Sequence, residues 1–170
     1  MAQLKIGRAL GAALHQAISE TLPSRLEFYE EWLTLDRIRE ETLSRAMVGA
    51  VLSFLRQESN NYNDVVTRAG HHTAEWALEA LPAWRGRFIC QMPRSFRVWF
   101  GLRRGTHLIR GLQSDGRLRW TVRRGCVVAS IKGSVFCQVR VPSGMPLCSF
   151  YAVLLKRCLE SLEVSCRVEA

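Results

Sequence analysis

The hydrophobic period of this chain changes after the turn Ser114-Asp115-Gly116, and that change limits the class of fold. Before the turn, apolar residues recur at threes and fours. After it, Leu118, Trp120 and Val122 alternate with Arg117, Arg119, Thr121 and Arg123. A period of two puts alternate side chains on opposite faces of an extended strand, so this strand has an apolar inner face and a cationic outer one. Gly125 and Gly133 bracket a second strand, Cys126 to Lys132, and Ser134 to Val141 reads as a third, which predicts a small antiparallel meander. Pro142-Ser143-Gly144-Met145-Pro146 then turns the chain into a helix, Leu147 to Leu162, followed by a short last strand, Glu163 to Val168. The predicted class is α+β, a helical layer packed on a small twisted antiparallel sheet.

The helical layer is legible in the first two thirds of the chain. Leu4, Leu10, Ala13, Leu14, Ala17 and Ile18 mark one face of a helix within residues 3 to 20, and Thr21-Leu22-Pro23 ends it. Leu26, Tyr29, Leu33, Ile38, Leu43, Met47, Val51 and Leu55 continue through two more helices with a break near Thr34. Glu27, Glu30, Glu31, Asp36, Glu40 and Glu41 form their wet face. A helix capped by Asn63 or Asp64 runs to Leu81, where Pro82 stops it. Pro93 opens another, Arg94 to about Leu112, which Gly101 and Gly105 are expected to bend or break.

At 170 residues and 48% hydrophobic content the chain can bury one core. Residues 1–170 therefore read as a single domain, with the helix in residues 1–20 as a peripheral addition. Arg or Glu interrupts each apolar stretch short of the about 18 residues a membrane span needs. The N-terminus carries no cleavable leader pattern. The expected location is cytoplasmic.

Charge is divided unevenly. Residues 1 to 81 carry 8 basic and 11 acidic side chains, a net of −3, whereas residues 82 to 170 carry 16 and 4, a net of +12. Between Arg85 and Arg140, Asp115 is the only acid among 13 cations. Such a half either docks on the acidic helices of the first half or offers an electropositive surface to an anionic membrane, an acidic partner or, less favoured, nucleic acid.

The chemistry-bearing residues form no familiar catalytic pattern. Cys90, Cys126, Cys137, Cys148, Cys158 and Cys166 lie 36, 11, 11, 10 and 8 residues apart, which excludes a CxxC zinc pair and fits small buried hydrophobes. His71, His72 and Glu75 share a helix face at the spacing of a metal pair, but HExxH is absent and no second pair of ligands accompanies them. GxSxG, the P-loop and GxGxxG are also missing. Neither catalysis nor a metal or other cofactor is expected.

One run carries a family likeness. Gly133-Ser134-Val135-Phe136-Cys137-Gln138-Val139-Arg140, a Pro/Gly turn, then Leu147-Cys148-Ser149-Phe150-Tyr151-Ala152, a helix and a closing strand resemble the end of a vinyl-reductase-type small-molecule-binding domain. That family is related in fold to the core subunits of the TRAPP vesicle-tethering complex. Gly70 and Glu75 also fit its Gly-x-x-x-x-Glu pattern, and the likeness spans residues 25 to 170. It implies an apolar pocket between helices and sheet, dimerisation through the helical layer, and non-catalytic binding of aromatic effectors, tetrapyrrole intermediates or acyl chains by sensors, carriers or scaffolds. Many members have further cysteines beyond the last strand that help to hold zinc; here none follows Cys166. Cys90, after the middle helix, is a loose counterpart of the acylated cysteine in TRAPP-like relatives.

On this reading the partners are a hydrophobic small molecule or acyl chain and a second copy of the chain. The candidate ligand-binding residues are Trp76, Phe96, Trp99, Trp120, Phe136 and Phe150, which would equally make an ordinary closed core. The candidate anion or partner surface is Arg103, Arg104, Arg117, Arg119 and Arg123. A rival reading has arginines interleaved with Trp99, Phe100 and Trp120 binding nucleic acid, although strand alternation puts Trp120 inside and the arginines outside. A third is a TRAPP-like tethering dimer without ligand.

Overall fold

The computed structural model describes residues 6–58, 61–80, 88–123, 126–138 and 147–168. The helices are α1 (Arg8–Thr21), α2 (Leu26–Glu30), α3 (Leu35–Arg39), α4 (Arg45–Gln57), α5 (Tyr62–Glu79), α6 (Arg94–Leu112) and α7 (Ser149–Glu160), and a hairpin of β1 (Arg117–Arg123) and β2 (Cys126–Lys132) stands between α6 and α7. The α+β class is therefore as read from the sequence: helices packed on a small antiparallel sheet.

The break near Thr34 is present, and a second one follows it. The Thr34 hydroxyl accepts from the Arg37 N–H to start α3, and Ser44 accepts from Met47 N–H to start α4. Between them Glu41 takes a positive φ of 54°. The first helix is not peripheral. Leu10, Ala13, Leu14, Ala17 and Ile18 are fully buried, and α1 packs along α5, which packs on α7. The small residues Ala13 and Ala17 on that stripe let α1 lie close to its neighbour.

Gly101 and Gly105 do not break α6, which is continuous over 19 residues. They are where α7 crosses. A Cβ on Gly101 would sit 2.9 Å from Leu159 Cδ2, and one on Gly105 would run into Leu155 Cδ2. Each glycine lowers helix propensity by about 1 kcal/mol, a loss offset by close packing against α7. Gly70 does the same on α5, where a Cβ would lie 2.7 Å from the Phe150 carbonyl oxygen.

The hairpin pairs Leu118 with Ile131, Trp120 with Ala129 and Val122 with Val127; on this face Leu118, Trp120, Ile131 and Val127 pack against the core, while Val122 and Ala129 are exposed. The opposite face carries Arg117 across from Lys132, Arg119 across from Ser130 and Arg123 across from Cys126, so its cations meet no acid. A like-charged pair directly opposite is mildly unfavourable by itself.

The expected third strand does not form over its described residues, 134–138. Side chains capture its backbone groups. Arg56 donates to the carbonyls of Phe136 (2.7 Å) and Gln138 (3.4 Å), and Arg45 to that of Ser134 (3.3 Å). Gln113 Oε1 accepts from Val135 N–H and Ser134 Oγ from Cys137 N–H. With those groups satisfied, no ladder is needed. Residues 139–141 lie outside the described set. The expected last strand is likewise irregular: Arg97 donates to the carbonyls of Leu162 and Glu163, and Arg94 to that of Ser165, which ties the chain along α6 instead of to a strand edge.

Candidate functional site

Two apolar clusters lie along the antiparallel α6 and α7. The larger includes the buried faces of α1, α4 and α5 together with Ile109, Leu112, Phe136, Phe150, Tyr151 and Leu154. The smaller consists of Ile89, Leu102, Leu159, Leu162 and Val164. A cavity of about 430 Å³ opens beside the smaller one, lined by α6, Ala77 near the end of α5, Ile89 and Leu162.

One stripe of α6 forms the long wall of this cavity. Phe100, Arg103, Arg104, His107 and Leu108 follow at intervals of three, one, three and one, which is a single helical face. Apolar residues stand at its ends and cations in its middle. Arg104 donates to the Ala77 carbonyl at 2.7 Å, which joins α6 to α5, and burial draws its pKa below the usual arginine value. Arg103 lies over the Trp99 ring, 5.1 Å from its centre. Arg110 completes the cationic rim. Ala77, Ile89, Phe100, Leu108 and Leu162 supply the apolar surface.

Among the described residues, none of Arg103, Arg104, Arg110, Arg117, Arg119 or Arg123 has a carboxylate within ion-pair distance. Several acids of the first half are engaged within that half. Glu20 holds Arg68 and His72, and Glu30 holds His15. Among the described residues, the only ion pairs that join the two halves of the chain are Arg45 with Asp115 and Glu75 with Arg157. Among the described residues, ion pairing with the acidic helices therefore does not account for the basic excess.

The six candidate ligand residues separate into three groups. Phe136 and Phe150 are fully buried and stacked, centroids 4.7 Å apart, in the larger cluster. Trp76, Phe96 and Trp99 are 38%, 42% and 40% exposed; Trp76 stacks on His72, and Phe96 meets Trp99. Trp120 is half-buried and packs against both clusters. None of the six lines the 430 Å³ cavity, whereas Arg103 and Arg104 do. Arg117, Arg119 and Arg123 are exposed on the outer face of the hairpin.

His71, His72 and Glu75 do not converge. His72 binds Glu20 at 3.1 Å and Glu75 binds Arg157 at 3.0 Å. No group of three His, Cys, Asp or Glu suited to a metal occurs among the described residues. Of the six free cysteines only Cys158 is fully buried, and burial pushes its thiol up to about 11. Cys90 is half-buried.

Ala77, Ile89, Phe100, Thr106, His107, Arg110 and Leu162 line the cavity without having been ligand or anion candidates in the sequence. The stripe on α6 was a usable signal, because a helical face that mixes large apolar residues with arginines cannot be a plain core face. No described helix is long and apolar enough to cross a membrane. Comparison with known families, curated proteins and solved structures finds no match.

Proposed function

We propose that this chain binds, without catalysis, an amphiphile with an apolar body and an anionic head, and acts as a sensor, carrier or scaffold of the vinyl-reductase-type kind. The observation that supports the reading is the cavity beside α6, with apolar walls and a rim of Arg103, Arg104 and Arg110 whose charges no described carboxylate neutralises. Its volume of about 430 Å³ falls within the range of small-molecule sites. Removing about 200 Å² of apolar ligand surface from water contributes about 5 kcal/mol, and a charge-assisted hydrogen bond to a carboxylate adds about 1.5–3 kcal/mol. The proposed assembly is a homodimer, for which the exposed Trp76, Phe96 and Trp99 provide apolar surface; sedimentation velocity tests it.

Calorimetric titration with dodecanoate and with 1-dodecanol tests the binding reading. Dodecanoate is expected to bind saturably, and changing Arg103 and Arg110 together to Gln weakens it about tenfold while dodecanol binding is unchanged. Absence of saturable binding of either probe refutes the proposal. The second reading, binding of a phosphate backbone, has its own support in Arg117, Arg119, Arg123 and Lys132 on one acid-free hairpin face. It predicts affinity for an oligonucleotide that falls steeply with salt.

A further inference from the structure

The turn after the hairpin and the start of α7 bring together two cysteines that are 11 residues apart in sequence. Cys137 Sγ and Cys148 Sγ are 3.0 Å apart. Cys137 is exposed and Cys148 half-buried, so a small solute can reach the pair. A disulfide needs about 2.05 Å between sulfurs, so a sulfur displacement of about 1 Å closes it. Both flanks are held. The Cys137 N–H donates to Ser134 Oγ, and Arg56 donates to the carbonyls of Phe136 and Gln138 on either side of Cys137. On the other flank, the Cys148 carbonyl accepts from Tyr151 and Ala152 N–H at the head of α7. The neighbours Phe136 and Phe150 stack on each other in the core.

We propose that Cys137 and Cys148 form a peroxide-oxidisable dithiol, Cys137 as the nucleophile and Cys148 as the resolving thiol, whose disulfide fastens the turn after the hairpin to the start of α7. The Cys137 thiolate attacks one oxygen of hydrogen peroxide; the O–O bond breaks, hydroxide leaves and Cys137 becomes a sulfenic acid. Cys148 Sγ then attacks Cys137 Sγ, the S–S bond forms, the S–O bond breaks, and water leaves with the thiol proton of Cys148. The two thiols lose two electrons and peroxide gains them, with two waters as product after proton uptake. An external dithiol reverses the change by thiol–disulfide exchange.

The electrostatics of the site agree with this assignment. The hydrogen bond from the Cys148 thiol brings Cys137 down to about 6, with Ser134 and the Arg56 guanidinium acting in the same direction against burial. Cys148, as the donor to that thiolate, is pushed up. Cys126, exposed on the hairpin, is a control thiol on the same molecule.

The test is peroxide treatment of the full chain followed by intact mass measurement and non-reducing peptide mapping. The expected result is loss of two hydrogens, a Cys137–Cys148 cross-linked peptide, and recovery of both thiols with dithiothreitol. In Cys148→Ser the reaction stops at a sulfenic acid on Cys137 that dimedone traps, and Cys137→Ser yields neither product. Cys126→Ser oxidises as the unaltered chain does. Retention of all six thiols under conditions that fully oxidise dithiothreitol, or a cross-link through any other cysteine, overturns the proposal. Mapping the unaltered protein decides the question even if a variant fails to fold.

Discussion

Two regions around the α6–α7 pair use the same residue type in opposite ways. At the end where α7 begins, Arg45 and Arg56 point their guanidinium groups at the backbone carbonyls of Ser134, Phe136 and Gln138, and Arg45 also pairs with Asp115. Those cations close the protein over the stacked Phe136 and Phe150. On α6, from its midpoint to its last turn, Arg103 and Arg110 stand on the rim of a cavity with no described carboxylate in reach. An arginine that satisfies a buried carbonyl is a structural donor and replaces a strand ladder. An arginine without such an acceptor keeps its charge for something outside the chain. Net charge alone cannot separate the two, because both count as +1.

The largest effect expected from this contrast concerns the aromatic residues. Phe150→Ala should cost about 3–5 kcal/mol through the cavity it leaves in a fully buried stack. Trp99→Ala, at a residue 40% exposed, should cost under about 1 kcal/mol. Urea unfolding of both variants checks the pair of values, and equal losses would mean that the two regions are not differently packed.

A smaller effect separates the arginines. Arg56→Met leaves the Phe136 carbonyl without its donor and should lower stability by about 1–3 kcal/mol. Arg110→Met should stay within about 0.5 kcal/mol and act on dodecanoate affinity instead. If Arg110→Met destabilises as much as Arg56→Met, the rim arginine has a structural role after all.

The smallest expected effect is kinetic. Cys137 has its pKa lowered to about 6, chiefly by the Cys148 hydrogen bond, so its thiolate is present above that pH and is lost as pH falls through it. Alkylation by iodoacetamide should therefore level off above about pH 6 at Cys137, whereas an ordinary thiol continues to gain reactivity up to about 8.5. Peptide-resolved alkylation rates from pH 5 to 9 give the curve. In Arg56→Met the midpoint should move upward, because a cation that favours the thiolate is gone.

Much of the helical layer was legible in the sequence for a simple reason: a helix that buries one stripe repeats its apolar residues at threes and fours, and Leu10, Leu14, Val51, Leu55, Leu102 and Ile109 do so. Gly101 and Gly105 read as a bend or break because propensity describes an isolated helix; the crossing of α7 that makes them suitable involves Leu155 and Leu159, on an element far along the chain. Ser134 to Gln138 read as strand because its composition suits one. What diverted it were partners far away in sequence, Arg45 and Arg56 on α4.

The sequence by itself determined which helix faces turn inward, where the hairpin lies and which half of the chain is cationic, since each depends on the order and spacing of residues within a single element. Only the tertiary structure decided which arginines remain available, where the cavity opens, and that Cys137 meets Cys148. Each of these depends on groups from separate elements reaching the same few ångströms, and local periodicity carries no record of what an element packs against.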